Sequence, residues 1–269
     1  MKKLVSLLLI MTLCLGMLSL IGCGTGNETE GKTLLEEVTE RGSIIVATEG
    51  TWAPWTYHDD NNVLTGFDIE VAKAVAEKMG LKVEFVEVEW DGILAGVESG
   101  RYDIAANGVE IDDEREEKYY FCSPYAYIHT ALIVRNDNTS ITKFEDLDGK
   151  TTANTLQSTY AKLAESYGAT VTGVDDLAQT IELLTAGRID ATLNADVSYY
   201  DYLTQHPDAA IKLVALTKDA SKVAFPVKKN DRNKTFIEAV NKAIKELYDE
   251  GVISQLSIKF FGGDITKSE

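Results

Sequence analysis

Short apolar runs alternate along this chain with segments whose apolar residues recur at every third or fourth position. The run from Ser43 to Thr48 has the length of a strand, whereas the apolar positions between Ile69 and Met79 have the spacing of one helix face. Strands that alternate with helices in this way are typical of βαβ units, in which parallel strands form a sheet covered by helices. The pattern therefore predicts an α/β protein with a largely parallel sheet.

The same pattern predicts the individual elements. Predicted strands cover residues 43–48, 82–86, 102–106, 131–135, 150–154, 169–174, 190–193 and 212–216, with a further extended segment at 223–227. Predicted helices cover residues 69–79, 91–99, 160–167, 177–186, a segment lined by Phe236, Val240, Ile244 and Leu247, and 252–260, with a short helix and turn at 144–150. Glycine follows most of these helices, as expected of the residue that ends a helix at least cost. We expect Asp68 to cap the helix that begins after it.

The elements fall into two series, of which the second begins near residue 131. We therefore expect two α/β lobes, one formed by residues 33–129 with 225–269 and the other by residues 130–224. The chain would cross between the lobes twice, with hinge strands near Thr130 and near residues 222–225. A length of 269 residues suits one large or two medium domains.

Residues 1–23 predict a lipoprotein export signal. Lys2 and Lys3 precede an apolar run, and the four residues that end at Cys23 resemble a bacterial lipobox. A membrane-spanning anchor with a chance cysteine is the alternative, but the run is short for a span and no charged stop-transfer segment follows it. We expect cleavage before Cys23 and lipid on that cysteine. A flexible tether at residues 24–32 would then hold an extracytoplasmic protein on the cell membrane.

The charge and the cysteines exclude further classes. The formal net charge of −17 argues against a nucleic-acid partner. Cys14 would leave with the export signal and Cys23 would carry lipid, so that Cys122 alone remains and no disulfide can form within the mature chain. We expect Cys122 to be a buried apolar residue rather than a nucleophile. The three histidines are scattered without the spacing of metal ligands, so we expect no metal and no cofactor.

Two tryptophans lie next to the predicted strands. In open α/β sheets, ligands bind beyond the carboxyl ends of the strands. Trp52 follows the first strand, and Trp90 precedes the helix after the second. The two indoles could stack on a flat or sulfur-containing group, or hold a cation with about 0.5–2 kcal/mol. Both could instead belong to the core, which is where we expect Trp55.

Arg115 is the strongest binding candidate. The strand before it is broken by Asn107 and Gly108, which would leave backbone N–H groups free. A guanidinium can bind a carboxylate through two parallel hydrogen bonds, so free amides and Arg115 together would form a clamp for a small anion. The alternative is a surface arginine within the charged run at residues 112–118.

A second anion-binding element is predicted where a helix begins at residues 156–160. Ser158 or Thr159 can cap that helix, and the amides at a helix N-terminus favour an anion. Capping alone would also account for both residues.

These motifs resemble the extracellular solute-binding proteins of polar amino-acid ABC importers, family 3 type. The resemblance is carried by the spacing from Asp103 through Asn107 to Arg115, and by residues 121–125, in which Cys122 stands where the family usually has serine. It covers nearly the whole mature chain. The segments 66–68, 90–92, 145–150 and 191–194 look most like the cystine-binding branch.

The resemblance implies a two-lobe periplasmic-binding-protein-like (type II) fold with two hinge crossings. It implies a monomeric, non-enzymatic protein that captures a small polar amino acid, cystine-like, and delivers it to an ABC permease and ATPase. It assigns the carboxylate to Arg115, with help from backbone amides near residues 109 and 110. The ligand-binding residues expected from the resemblance and the strand ends are Trp52, Trp90, Asn107, Gly108, Val109, Glu110, Arg115, Ser158, Thr159, Tyr160, Asn194 and Asp196.

Two departures from the family pattern concern the ligand. The family usually carries Ser, Thr or Gly at the position of Glu110, and an aspartate that binds the α-ammonium group at the position of Ala195. A buried ammonium group without a partner costs several kcal/mol. We hypothesise that Glu110 or Asp196 supplies the missing anion. Alternatively, Asp196 faces solvent and the ligand lacks an ordinary α-amino group.

Two other functions stay open from the sequence. An enzyme on the same scaffold, such as a cyclohexadienyl or arogenate dehydratase, could use Glu110 as a general acid. The chain could also be the sensor domain of a signalling receptor, although no downstream transmembrane or kinase segment is seen.

Overall fold

The computed structural model describes residues 31–267. Helices and strands alternate along them as the apolar pattern predicts. The helices are α1 (Leu34–Arg41), α2 (Phe67–Lys78), α3 (Trp90–Ser99), α4 (Asp113–Lys118), α5 (Thr159–Ser166), α6 (Leu177–Thr185), α7 (Asp196–Gln205), α8 (Lys234–Asp249) and α9 (Val252–Phe261), with 3₁₀ turns at Phe144–Leu147 and Asp231–Asn233. The strands are β1 (Ser43–Thr48), β2 (Thr51–Trp52), β3 (Thr56–His58), β4 (Leu64–Thr65), β5 (Lys82–Glu87), β6 (Ile104–Ala105), β7 (Tyr119–Phe121), β8 (Ala126–Ile128), β9 (Thr130–Arg135), β10 (Thr151–Asn154), β11 (Thr170–Gly173), β12 (Ala191–Ala195), β13 (Ile211–Leu216), β14 (Ser221–Val223) and β15 (Pro226–Lys228).

Two sheets carry the architecture. The first has the strand order β5-β1-β6 and is parallel, with Ser43 paired to Lys82 and Val46 to Ile104. The second has the order β11-β10-β12-β9-β13 and is mixed, because β9 runs antiparallel to both of its neighbours. The prediction of a largely parallel sheet is therefore right for the first sheet and for β10 to β12, but not for β9 and β13.

Helices cover both faces of each sheet, since the sheet strands are apolar on both sides. We call the first sheet with α1–α4, α8 and α9 lobe 1, and the second sheet with α5–α7 lobe 2. In lobe 1, Val71 and Val75 of α2 pack on one face near Val46, while Ile93 and Val97 of α3 pack on the other. Both lobes belong to one compact unit that begins at Thr33.

The chain crosses between the lobes twice. It leaves lobe 1 through β8, which leads directly into β9, and it returns from β13 through β14. These two crossing strands pair with each other in antiparallel fashion, with Tyr127 opposite Lys222. The predicted two-lobe α/β class with two crossings is confirmed.

Asp68 does not cap α2, so that prediction is wrong. The residue before the helix is Gly66, which makes no side-chain capping bond, and Asp68 lies within the first turn. Its buried carboxylate instead accepts hydrogen bonds from the Gly108 backbone N–H at 2.6 Å and the Tyr125 hydroxyl at 3.0 Å. Burial raises the pKa of Asp68 to about 7. An aspartate in the first turn of a helix can thus bind the backbone of a loop that is distant in sequence instead of capping the helix.

Three helices have no counterpart in the predicted set. The first, α1, begins at a capping box in which Thr33 and Glu36 bond to each other's backbone, a signal that the sequence does carry. The short α4 consists of charged residues, and α7 is rich in polar and tyrosine side chains, so neither shows a clear apolar face.

The predicted leader at residues 1–23, with its lipidated Cys23, lies outside the described residues. Of the predicted tether, only Gly31 and Lys32 are described. Within residues 31–267, no helix combines the length and apolarity needed to span a membrane.

Candidate functional site

A cavity lies between the lobes, beyond the carboxyl ends of β1 and β6 and opposite the N-termini of α5 and α6. Its volume is about 530 Å³, including space that opens to solvent. Of the twelve residues predicted for the site, ten line this cavity: Trp52, Trp90, Asn107, Gly108, Glu110, Arg115, Ser158, Thr159, Tyr160 and Asn194. Val109 and Asp196 do not. The structure thus brings these ten residues, predicted from the strand ends and the family resemblance, together around one cavity.

Arg115 is buried rather than displayed on the surface, with only 5% of the residue exposed. Its Nη1 donates to the Glu110 carbonyl at 2.8 Å, and its Nη2 donates to the Gln157 carbonyl of lobe 2 at 3.4 Å. The guanidinium carbon lies 5.4 Å from the centre of the Trp90 ring. Asp112 caps α4 through the Arg115 backbone N–H at 2.7 Å. Contacts within the protein therefore hold the Arg115 side chain at the cavity wall.

The free backbone amides predicted at the strand end are not all present. The Gly108 N–H is occupied by Asp68, as described above. Val109 is fully buried among the apolar residues behind the wall, and its carbonyl accepts from Ala224. Gly108 itself has a φ of +56°, and a Cβ there would lie 2.7 Å from the Trp52 ring, so only glycine fits. This turn shapes the cavity. The backbone N–H groups of Val109 and Glu110, which the prediction assigned to the carboxylate, donate to no described residue, so they stay candidates beside the Arg115 side chain.

The three tryptophans lie where the sequence suggests, two at the cavity and one in the core. Trp52 and Trp90 line the cavity. Trp55 is fully buried in the main core, and Trp52 stacks on it with ring centres 5.7 Å apart and planes at 25°. One wall of the cavity is therefore an aromatic surface backed by the core of lobe 1.

Glu110 joins the site to lobe 2 and to a crossing strand. The residue is 4% exposed, and its carboxylate accepts a short hydrogen bond from the Thr159 hydroxyl of α5. Its backbone forms a bridge with Val223 of β14. Tyr160 lies nearby, where burial and then the charge of Glu110 raise the pKa of its hydroxyl. The cavity wall thus carries a buried carboxyl side chain at the position where the family usually has a small residue.

Ser158 rather than Thr159 caps α5, because its hydroxyl accepts from the Ala161 backbone N–H at 3.1 Å. The Thr159 hydroxyl is left for Glu110. Both residues line the cavity, so capping does not exclude contact with a ligand.

Asp196 is the exception in lobe 2. It begins α7, and its carboxylate accepts from the Val197 N–H at 2.9 Å and the His129 N–H at 3.4 Å. Burial raises its pKa, so it does not simply face solvent. The neighbouring Asn194 does line the cavity, with its side-chain oxygen accepting from Ala195. Of the two candidates for the missing anion, only Glu110 reaches the cavity.

An acidic end of the cavity was not predicted. It consists of Glu49, which directly follows β1, with Asp175 and Asp176, which follow β11. Asn107 donates to the Glu49 carboxylate at 2.6 Å. Burial raises the pKa of Glu49 to about 7 against that hydrogen bond, and the nearby charges of Glu89 and Asp176 raise it further. All three residues stand at strand ends, so the rule that located Trp52 could have found them.

The charges around the cavity are unequal. Among the described residues of its wall, Arg115 is the one permanently positive group, whereas Glu49, Glu110, Asp175 and Asp176 carry carboxylates. Such a wall can hold one carboxylate and more than one positive group of a ligand. Elsewhere, burial raises the pKa of the Cys122 thiol, as expected of a core residue rather than a nucleophile. Residues 31–267 contain no group of three or more His, Cys, Asp or Glu side chains that could hold a metal ion.

Proteins built in this way enclose a small solute between two hinged α/β lobes. The model of bacterial extracellular solute-binding proteins, family 3, matches residues 44–263, so the chain belongs to this family. It is 37% identical to the L-cystine-binding protein TcyA of Bacillus subtilis, with 99% of each chain covered.

The arrangement of the lobes can be compared with two similar solved structures, one bound to a ligand and one open. An ancestral arginine-binding protein bound to arginine is 34% identical, with a TM-score of 0.76 over 82% of this chain and 99% of that one. The L-cystine solute receptor of Neisseria gonorrhoeae in the unliganded open conformation is 38% identical, with a TM-score of 0.60 over 88% of this chain and its whole length. The chain is thus structurally more similar to the bound protein despite the lower identity. Together with the contacts across the cavity, this indicates that the two lobes are closed.

Proposed function

We propose that this protein captures an amino acid between its lobes and delivers it to the permease of an ABC importer. The observation that carries the proposal is the buried Arg115 guanidinium, which lies at the wall of an interlobe cavity opposite the start of α5. A fixed guanidinium is suited to a carboxylate, and a helix N-terminus on the other side adds a favourable potential. Membership of the solute-binding family and the names of the relatives support the same role.

The ligand's α-ammonium group would bind Glu110. This carboxylate lies on the same wall as Arg115, whose Nη1 donates to the Glu110 carbonyl. It would take over the role of the aspartate that the family carries at the position of Ala195. In the closed form it accepts from Thr159, so that it binds lobe 2 as well as the ligand.

The first candidate ligand is L-cystine. One relative that matches this chain over 99% of both lengths is an L-cystine-binding protein at 37% identity. L-Cystine carries a second ammonium group that could reach Glu49 and Asp176, and its disulfide would lie against Trp52 or Trp90. The exposed face of an indole is suited to a polarisable sulfur pair.

A basic amino acid such as L-arginine is the second candidate, and the charge of the wall favours it. L-Cystine brings two carboxylates, whereas the described cavity wall offers one guanidinium. L-Arginine brings one carboxylate for Arg115 and a distal cation for the acidic end. Buried charges need partners, so the count of partners selects between ligands.

Closure would couple binding to delivery. Each lobe contributes part of the wall, so a ligand that touches both lobes stabilises the closed form by its preference for that form over the open one. We propose the paired strands β8 and β14 as the hinge, with lobe boundaries near residues 130 and 224. A permease that recognises closed lobes would then receive only loaded protein.

We also propose that the protein is extracytoplasmic, is held on the membrane by lipid at Cys23, acts as a monomer and has no catalytic activity. A dehydratase on the same scaffold would need Glu110 to donate a proton. Membership of the solute-binding family and the names of the relatives support binding over catalysis. Formation of product from prephenate or arogenate would overturn the non-enzymatic assignment.

Isothermal titration with matched ligands tests the proposal. The pairs are L-cystine with its desamino analogue 3,3′-dithiodipropionate, and L-arginine with its decarboxylated analogue agmatine. We expect L-cystine or L-arginine to bind, and either analogue to bind at least about tenfold more weakly, since the first analogue lacks both ammonium groups and the second lacks the carboxylate. Equal affinity for L-cystine and the desamino analogue would contradict the role of Glu110. Absence of binding by any amino acid would contradict the proposed function itself.

A further inference from the structure

A buried hydrogen bond joins the lobes outside the cavity. The indole N–H of Trp55, in lobe 1 between β2 and β3, donates to the hydroxyl of Ser198 in α7 of lobe 2 at 3.2 Å. Both residues are 0% exposed. Neither residue lines the cavity, so no ligand bound there would touch either of them directly.

Trp55 nevertheless lies immediately behind the cavity wall. Its ring stacks on Trp52, which does line the cavity, and it contacts the turn at Gly108. A partner that fixes the Trp55 indole therefore also fixes the surface that Trp52 presents to a ligand.

The other polar contacts that join the lobes around the cavity differ from this one in kind. The bond from Arg115 to the Gln157 carbonyl belongs to the cavity wall. The Thr159–Glu110 hydrogen bond lies in the cavity itself, where a ligand ammonium group would compete for Glu110. Lys162 pairs with Glu114 at 2.6 Å on the exposed rim, where solvent weakens an ion pair. The contact between Trp55 and Ser198 is fully buried, and neither residue lines the cavity.

We expect this contact to form only when the lobes close, because its two fully buried members belong to different lobes. When the lobes separate, the indole N–H and the hydroxyl can each bond to water. When the lobes close, both groups lose their contact with water. If either group were removed, the other would be buried without a hydrogen-bond partner. The pair therefore stabilises closure only when both members are present.

We propose that Ser198 is a positioning residue: its hydroxyl holds the Trp55 indole in the closed form, keeps Trp52 against the cavity, and sets the balance between closed and open lobes without contacting the ligand. Closure itself follows from the two-lobe fold, and only the ligand-based readout rests on the proposed capture function.

The test compares Ser198→Ala, Trp55→Phe and the double variant in the full chain. L-Cystine is the probe, with L-arginine as the second probe, and association and dissociation rates are measured by stopped flow. We expect Ser198→Ala to raise the dissociation rate about 5- to 30-fold, with the association rate changed less than about threefold, because the bond forms after encounter. The double variant should dissociate no faster than Trp55→Phe alone, since both substitutions remove one bond.

Ser257→Ala is the matched control. Ser257 is also 0% exposed, but its hydroxyl bonds to Gly263 and Ile265 within lobe 1. This variant should lower the thermal midpoint of unfolding and leave the dissociation rate unchanged. An equal rise in dissociation rate for Ser198→Ala and Ser257→Ala, or fully additive effects of Ser198→Ala and Trp55→Phe, would overturn the proposal.

A measurement without ligand separates this inference from the proposed function. The chain has three tryptophans, so its indole N–H signals can be assigned by NMR from single Trp→Phe variants. We expect the Trp55 N–H to exchange with solvent faster in Ser198→Ala than in the ligand-free wild type, and equally in Ser257→Ala. Unchanged Trp55 exchange in Ser198→Ala would overturn the proposal even if L-cystine binds. Failure of both probes with faster exchange would overturn the choice of ligand alone.

Discussion

The two ends of the cavity differ in charge and in how they are held. At one end, Arg115 is fixed by a backbone carbonyl from each lobe and covered by Trp90. At the other end, Glu49, Asp175 and Asp176 approach from both lobes, and no permanent cation lies among the described residues of that end. At the first end the guanidinium is held in place, but its buried Nε has no hydrogen-bond partner among the described residues, whereas the second end has unneutralised charge. Under the proposed function, we therefore expect the Arg115 end to recognise the carboxylate that amino acids share, and the acidic end to select among them.

The largest effect should come from Arg115→Met. Removal of one partner from a buried charged contact costs about 2–5 kcal/mol, so we expect the affinity for L-cystine or L-arginine to fall on the order of 100-fold or more. Agmatine, which has no carboxylate, should lose far less. Titration calorimetry measures both, with the exposed Arg101→Met as the control variant. An equal loss for agmatine would show that Arg115 supports the fold rather than the carboxylate.

Glu49→Gln should discriminate between ligands at the acidic end. We expect the affinity for L-arginine to fall about tenfold, because a hydrogen bond to a charged group is weakened. The affinity for L-citrulline, which has the same shape but a neutral end, should be nearly unchanged. The control is Glu77→Gln on the exposed side of α2. Equal losses for L-arginine and L-citrulline would remove the distinction between the two ends.

The acidic end should also make the protein sensitive to pH. Burial raises the pKa of Glu49 from 4.5 to about 7, so the folded form favours the protonated carboxyl. Its contribution to the free energy of unfolding is complete below about pH 4.5 and is lost as the pH rises through about 7, by on the order of 1–2 kcal/mol. Binding of a cationic ligand should strengthen over the same range, because the carboxylate becomes charged.

Chemical unfolding of the wild type and Glu49→Gln at pH 5 and pH 8 checks this sign. The difference between the two proteins isolates Glu49, since Asp68, whose pKa burial also raises to about 7, is present in both. The wild type should lose more stability than the variant between pH 5 and pH 8. A larger loss in the variant would be the opposite of what the buried carboxyl predicts.

The smallest effect should come from Lys162→Met on the rim. Its pairs with Glu114 and Asp112 cross between the lobes near the Arg115 end; the closer pair, with Glu114, is exposed, and the one with the half-buried Asp112 is 3.7 Å long. Exposed pairs contribute about 0.2–1 kcal/mol, so the dissociation constant should change less than about fivefold. The effect should fade in high salt. A change as large as that of Arg115→Met would mean that the rim, and not the buried guanidinium, governs the Arg115 end.

Much of the site could be predicted because its location follows from the chain order of the elements. Trp52 and Trp90 stand next to predicted strands, and the carboxyl ends of parallel strands share one edge of a sheet. The residues Asp175 and Asp176 stand in the same position, but only the fold shows that the second sheet turns its strand ends toward the first. Asp196 and Val109 were assigned to the site by neighbourhood along the chain. In the structure, Asp196 begins α7 and Val109 packs in the apolar core, so neither lines the cavity.

The amino-acid sequence alone determined the α/β class, the two lobes, the two crossings and the family, because periodicity and motif spacing are local properties of the chain. The family resemblance in spacing from Asn107 also predicted Arg115 as a binding residue, and the structure places it at the cavity wall. Tertiary structure decided which polar groups pair: that Asp68 binds Gly108 instead of capping a helix, that Glu110 meets Thr159, and that Trp55 reaches Ser198 from 143 positions away. Such pairings depend on which groups lose water together on folding, and burial in three dimensions is the property that no local pattern contains.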